Sequence, residues 1–193
     1  MGFKVKFWGV RGSIASPLDN SDTILKAKRL LKRYRELGCP EDSDAFVDDD
    51  PIAQFESRTN GGNTSCIEVV YKNPAYDDTN KPALRFILDM GTGLSKLGGS
   101  LYPEIKKYDG LHIPFLVSHL HWDHIQGLPF FGPLFEKKED GINNQWLFCG
   151  GTDWEGELEI CLHGQMDEPK FPVSWKKIRA HTKNLKFDTV FDK

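Results

Sequence analysis

A mixed α/β fold is predicted for this chain by three observations. Compact apolar runs of strand length lie at 66–70, 84–88, 113–117 and 146–148, each closed off by Gly, Pro, Asn or Asp. Helical patterns at 22–37, after Gly93 and at 155–162 fall between those runs. Strands and helices therefore interleave, the pattern of helices packed outside sheets. At 193 residues the chain has the length of one domain, 1–193, with a charged helical excursion at 18–60.

At the N-terminal end, Phe3, Val5 and Phe7 alternate with Lys4 and Lys6, which predicts a half-buried first strand. It runs into Gly9-Val10-Arg11-Gly12-Ser13, a loop whose glycines let it turn tightly, either to face a site or to round a corner. In the excursion, Ser21 or Asp22 is the expected N-cap of a helix over 22–37, with Gly38 as its stop and Pro40 beyond. Its expected apolar stripe is Ile24, Ala27, Leu31 and Tyr34, and Lys26, Lys28, Arg29, Lys32, Arg33 and Arg35 cover the rest. An acidic stretch from Glu41 to Asp50 comes next, so the basic face either meets a phosphate backbone or is neutralised by its own neighbour. Residues 59–63 form a turn, 65–71 a second strand, 72–81 a hairpin linker and 84–88 a third strand. That strand ends in Asp89-Met90-Gly91-Thr92-Gly93. Asp89 either reaches a neighbouring strand's site or caps the helix after it. Trp146 to Phe148 predicts another buried strand, 155–162 a helix, and 185–191 a last strand.

Composition excludes some classes. A net charge of −3 and a pI near 6.1 leave no overall positive field for binding polyanions. Cys39, Cys66, Cys149 and Cys161 form no Cys-x-x-Cys pair, and Cys66 and Cys149 sit in apolar runs as small core residues. With no apolar leader at Met1–Lys6 and no run of membrane-spanning length, the expectation is a reducing, cytoplasmic setting with no membrane partner.

Chemistry concentrates in Ser118-His119-Leu120-His121-Trp122-Asp123-His124. Three of the chain's 6 histidines lie here with a carboxylate, directly after the apolar run 113–117. Imidazole nitrogen and carboxylate oxygen are the ligands of borderline-soft divalent metals such as zinc. His119 and His121, at i and i+2, leave a strand end on one side, and Asp123 and His124 on the next turn can swing back to meet them. A split of two and two points to two neighbouring ions. His163 reads as a helix-end residue and His181 as a polar residue before the last strand.

These pieces together resemble the metallo-β-lactamase-fold hydrolases, in particular the phosphodiesterase-like branch that includes tRNase Z and the PhnP-type cyclic phosphodiesterases. The resemblance rests on Gly9 to Ser13, Gly61 to Cys66, Leu88 to Gly93 and His119 to Pro129, and it covers residues 1 to about 135. It implies an αβ/βα sandwich with two divalent ions, Zn with Mn or Fe as substitutes, between its sheets. His119 and His121 would hold the first ion and Asp123 and His124 the second, with Asp89 supporting the ligand loop from behind. The later ligands of the family have no matching motif before Lys193. The expectation is therefore the N-terminal portion of such a sandwich, with its second half truncated.

The activity so implied is phosphodiester hydrolysis by a metal-activated hydroxide at a dinuclear site, with Asp123 as the catalytic carboxylate. The substrate would be a small phosphodiester, a cyclic nucleotide or an RNA end. A thioester or lactam hydrolase of the same fold is one alternative. A non-catalytic remnant, or a half-site module completed by a partner, is another. A half sandwich is further expected to leave Phe115, Val117 and Phe148 uncovered, and so to self-associate or carry a partner over that sheet.

Overall fold

In the computed structural model, which describes residues 2–58, 62–72, 81–136, 144–151, 156–181 and 185–191, strands and helices interleave as an α/β chain. The first strand, β1 (Gly2–Gly9), opens the larger of two compact units, which comprises 1–15 and 63–193, while 16–62 form the smaller.

The smaller unit is helical: α1 (Asn20–Glu36), α2 (Ser43–Asp49) and α3 (Pro51–Ser57). Helix α1 is capped by Asp19, two or three residues before the expected Ser21 or Asp22, because its carboxylate accepts from the Asp22 N–H and ties down Ser21 as well. Gly38 ends it with φ 78°. Of the expected apolar stripe only Tyr34 packs; Ile24 and Leu31 are each 54% exposed. The two short helices instead meet the side bearing Lys26, Arg33 and Tyr34. Arg33 bonds Asp50 at 2.7 Å, Lys26 and Arg29 lie 3.5 and 3.6 Å from the buried Glu56, and Tyr34 packs edge-on against Phe46. Charge pairing thus decides which side of α1 faces inward. Turn residues 59–61 lie outside the described residues.

The larger unit is built on a six-stranded mixed sheet in which strand order equals chain order: β1, β2 (Cys66–Lys72), β3 (Arg85–Leu88), β4 (His112–Leu116), β5 (Gln145–Gly151) and β6 (Leu185–Phe191). β1, β2 and β3 pair antiparallel; β3 through β6 pair parallel. Parallel neighbours need crossovers. Helix α4 (Gly93–Tyr108) supplies the first, and α5 (Trp122–Ile125) with two 3-10 turns, Leu128–Phe130 and Gly132–Phe135, lies in the second. Helices α6 (Glu157–Gly164) and α7 (Trp175–His181) form the third; nothing in the sequence pattern had pointed to α7. The linker 73–80 and Glu155 lie outside the described residues.

One sheet face carries the core. Ile87, Phe115, Trp146 and Phe148 meet Leu94, Leu97 and Leu101 of α4, Phe131, and Leu158 and Leu162 of α6 in one buried cluster. Phe115, Val117 and Phe148, expected to be uncovered, are 0%, 2% and 0% exposed, because their face is the one the crossovers cover. On the sheet, bare apolar side chains are found instead on β1, where Phe3, Val5 and Phe7 are 66%, 50% and 64% exposed. Across the register they align with Tyr71, Val69 and Ile67 of β2, which align in turn with Phe86 and Leu88. β1 is therefore an exposed edge strand, not a half-buried one. Cys66 and Cys149 are buried, and burial raises both thiols above the ordinary cysteine range.

Candidate functional site

Parallel pairing of β3 with β4 matches Leu88 with Leu116, so the segments leaving the two strand ends emerge side by side. After β3 comes Asp89, whose N–H donates to the Leu116 carbonyl at 3.0 Å. Its φ of 59° is one that Asp and Asn tolerate better than most residues. Its carboxylate belongs to a residue only 6% exposed and is bonded to the segment after β4. The cap position of α4 is held by Thr92 without a side-chain bond, so Asp89 does not cap that helix.

Asp89 accepts four hydrogen bonds. Its Oδ1 takes the Ser118 N–H and the Ser118 hydroxyl, both at 2.8 Å. Its Oδ2 takes the Ser65 hydroxyl at 3.1 Å and the His124 Nδ1–H at 2.7 Å. A carboxylate only accepts, so Nδ1 of His124 carries a proton.

The backbone holds these groups at close range. Met90 donates to the His124 carbonyl at 2.6 Å, and Gly127 donates to the Met90 carbonyl at 2.8 Å. A Cβ on Gly127 would stand 2.0 Å from the Gly91 carbonyl oxygen, and one on Gly91 would stand 2.4 Å from that of Asp123. Only glycine permits two loops to pass so closely.

His119, His121, Asp123 and His124 come together here. The His119 ring lies 3.9 Å from that of His124 and 4.6 Å from that of His121, centre to centre. Its Nδ1 is 3.0 Å from the Ser118 hydroxyl. Burial, reinforced by the neighbouring His124 and His121, holds His119 below the ordinary histidine range. Asp123 takes the Ser13 N–H on Oδ2 at 2.8 Å, and that bond lowers its carboxyl below the usual range. The loop 9–13 thus faces the site. His163 stands apart, its Nε2 3.3 Å from Asp167 and its ring 6.3 Å from that of Trp175, and His181 ends α7.

Does this donor set fit a metal ion? Asp123 Oδ2 and His124 Nε2 face each other at 3.4 Å. Such a contact is favourable where a proton or a cation lies between the two atoms. Imidazole and carboxylate are donor types that a borderline divalent cation accepts. The spacing is tighter than a loaded centre: the His119 and His121 rings, expected on one ion, have centres 4.6 Å apart, against about 5 Å for two imidazoles on one tetrahedral ion. Consistent with that, among the described residues no three His, Cys, Asp or Glu groups are disposed to hold an ion.

Sequence reasoning missed three participants. Ser118 stands inside the histidine-rich segment, and its place between a strand end and the first histidine was the available signal. Ser13 acts through its backbone N–H, which no side-chain pattern reports. Ser65 lies in the turn before β2, with nothing in its spacing to single out its hydroxyl. No protein-family model, curated protein or solved structure matches this chain.

Proposed function

We propose that this chain is a metal-dependent hydrolase of the phosphodiesterase type, with His119, His121, Asp123 and His124 as its metal ligands and Asp89 as the group that orients them. The observation that carries this reading is the convergence of three imidazoles with the Asp123 carboxylate, which faces Nε2 of His124 at 3.4 Å. Bound divalent ions, Zn with Mn or Fe as substitutes, supply Lewis acidity and make water nucleophilic near neutral pH. Asp89 fixes the His124 ring and, through Ser118, the start of the ligand segment. Asp123, positioned by the Ser13 N–H, orients the attacking water by hydrogen bonding. The substrate class is a small phosphodiester, a cyclic nucleotide or an RNA end, and the metallo-β-lactamase-type sandwich belongs to the same proposal.

The test is bound zinc and manganese by elemental analysis, then turnover of bis(p-nitrophenyl) phosphate beside thioester and lactam substrates. The proposal expects stoichiometric metal and phosphodiester turnover that His121→Ala abolishes. Preference for a thioester or lactam would move the chain to the other hydrolase class. A second reading, a non-catalytic module or half-site that a partner completes, is favoured by the 4.6 Å spacing of the His119 and His121 rings. Metal-free protein without turnover would establish it. For the bare sheet face of β1 we propose a second copy of this chain as partner, since the exposed Phe3, Val5 and Phe7 offer no charge with which to select another.

A further inference from the structure

We infer that Ser118 is a positioning residue whose hydroxyl sets the tautomer of His119, keeping the proton on Nδ1 and the electron pair on Nε2. A serine hydroxyl has one proton to give. Here it is committed to Asp89 Oδ1 at 2.8 Å, where a carboxylate can only accept. Towards His119 Nδ1, 3.0 Å away, the same oxygen has only electron pairs to offer, so the ring must donate. The 3.4 Å approach of the Ser118 oxygen to His124 Nδ1 is longer, and that proton already goes to Asp89 at 2.7 Å. Asp89 therefore places the Nδ1 proton of two rings, one directly and one through a hydroxyl relay. The Ser118 N–H adds a second anchor to the same carboxylate, so the hydroxyl is held by its own backbone. Free neutral histidine favours the opposite tautomer, with the proton on Nε2, and must reverse it at a cost when a ligand needs that nitrogen; the relay removes this step.

The tautomer stands on hydrogen bonds alone, whereas its consequence for metal affinity rests on the proposed metal site. The two are separated by working first without metal. Long-range 1H–15N correlation on the 15N-labelled, chelator-treated full chain at pH 8 reports which ring nitrogen carries the proton, with His119 assigned by signal loss in His119→Gln. Wild type is expected to show the Nδ1–H form at His119, Ser118→Ala a return to Nε2–H, and Ser118→Thr, which keeps a hydroxyl, the wild-type form. Zinc titration should then give an affinity about 10- to 100-fold weaker for Ser118→Ala, recovered in Ser118→Thr. An Nε2–H signal in the wild type overturns the inference, even if Ser118→Ala does not fold. So does an Nδ1–H form that survives in Ser118→Ala; a switched tautomer with unchanged zinc affinity supports the relay and overturns its consequence for the metal. The expected tautomers in a wild-type protein that takes up no zinc would support the relay and defeat the metal reading instead.

Discussion

Removing the Asp89 carboxylate is the sharpest perturbation of this molecule. Asp89→Ala strands four donors: the Ser118 N–H, the His124 Nδ1–H and two hydroxyls. The hydroxyls can rotate towards other partners, but the N–H groups cannot. At about 1–3 kcal/mol for each buried donor left unmade, the two fixed ones cost about 2–6 kcal/mol. Alanine at φ 59° adds about 1 kcal/mol of backbone strain. Asp89→Asn tolerates that φ and keeps one accepting oxygen, so its cost should be about 1–2 kcal/mol, with metal affinity about 10- to 100-fold lower. Urea denaturation monitored by tryptophan fluorescence measures both variants. An alanine variant within about 1 kcal/mol of wild type, or an asparagine variant equally damaged, would refute the hub role given to this carboxylate.

In the smaller unit, Asp50 caps α3 and bonds Arg33, and Arg33 holds its carboxyl below the usual range. A depressed folded pKa stabilises above the unfolded value and is lost as pH falls through the folded one, so acid unfolding below about pH 4 should be flatter in Asp50→Asn, as circular dichroism at stepped pH would reveal. Gly127→Ala forces a methyl to within 2.0 Å of the Gly91 carbonyl oxygen; a loss of about 1–3 kcal/mol, with weakened zinc uptake, is expected by denaturation and titration. The bare face of β1 should produce a concentration-dependent dimer in light scattering, and Phe7→Lys should return it to monomer while reducing binding of an apolar dye. A wild-type monomer that binds no dye would contradict the proposed pairing.

The fold class was legible because apolar periodicity is a local signal: all six strands and α4 sit within a few residues of where the runs of Val, Ile, Leu and Phe put them. The features that escaped were decided by distant neighbours. Which face of the sheet is covered depends on where α4, α6 and α7 cross it, so Phe115 and Phe148 proved buried while Phe7 was left bare. Helix α1 packs by its salt bridges rather than its leucines, and hydropathy alone does not weigh that. At the site, the donor residues could be picked out from side-chain chemistry in one short segment. The partner of Asp123 could not, since it is a backbone N–H from 110 positions earlier in the chain.

Because spatial order along the sheet repeats order along the chain, a nascent chain leaving the ribosome can add each new strand to the rim laid down just before it. Ser13 and Asp89, which grip the histidine segment, and Ser65, which holds Asp89, have all been synthesised by the time that segment emerges. The imidazoles would thus be born into a waiting cradle, with β5 and β6 closing the sheet afterwards.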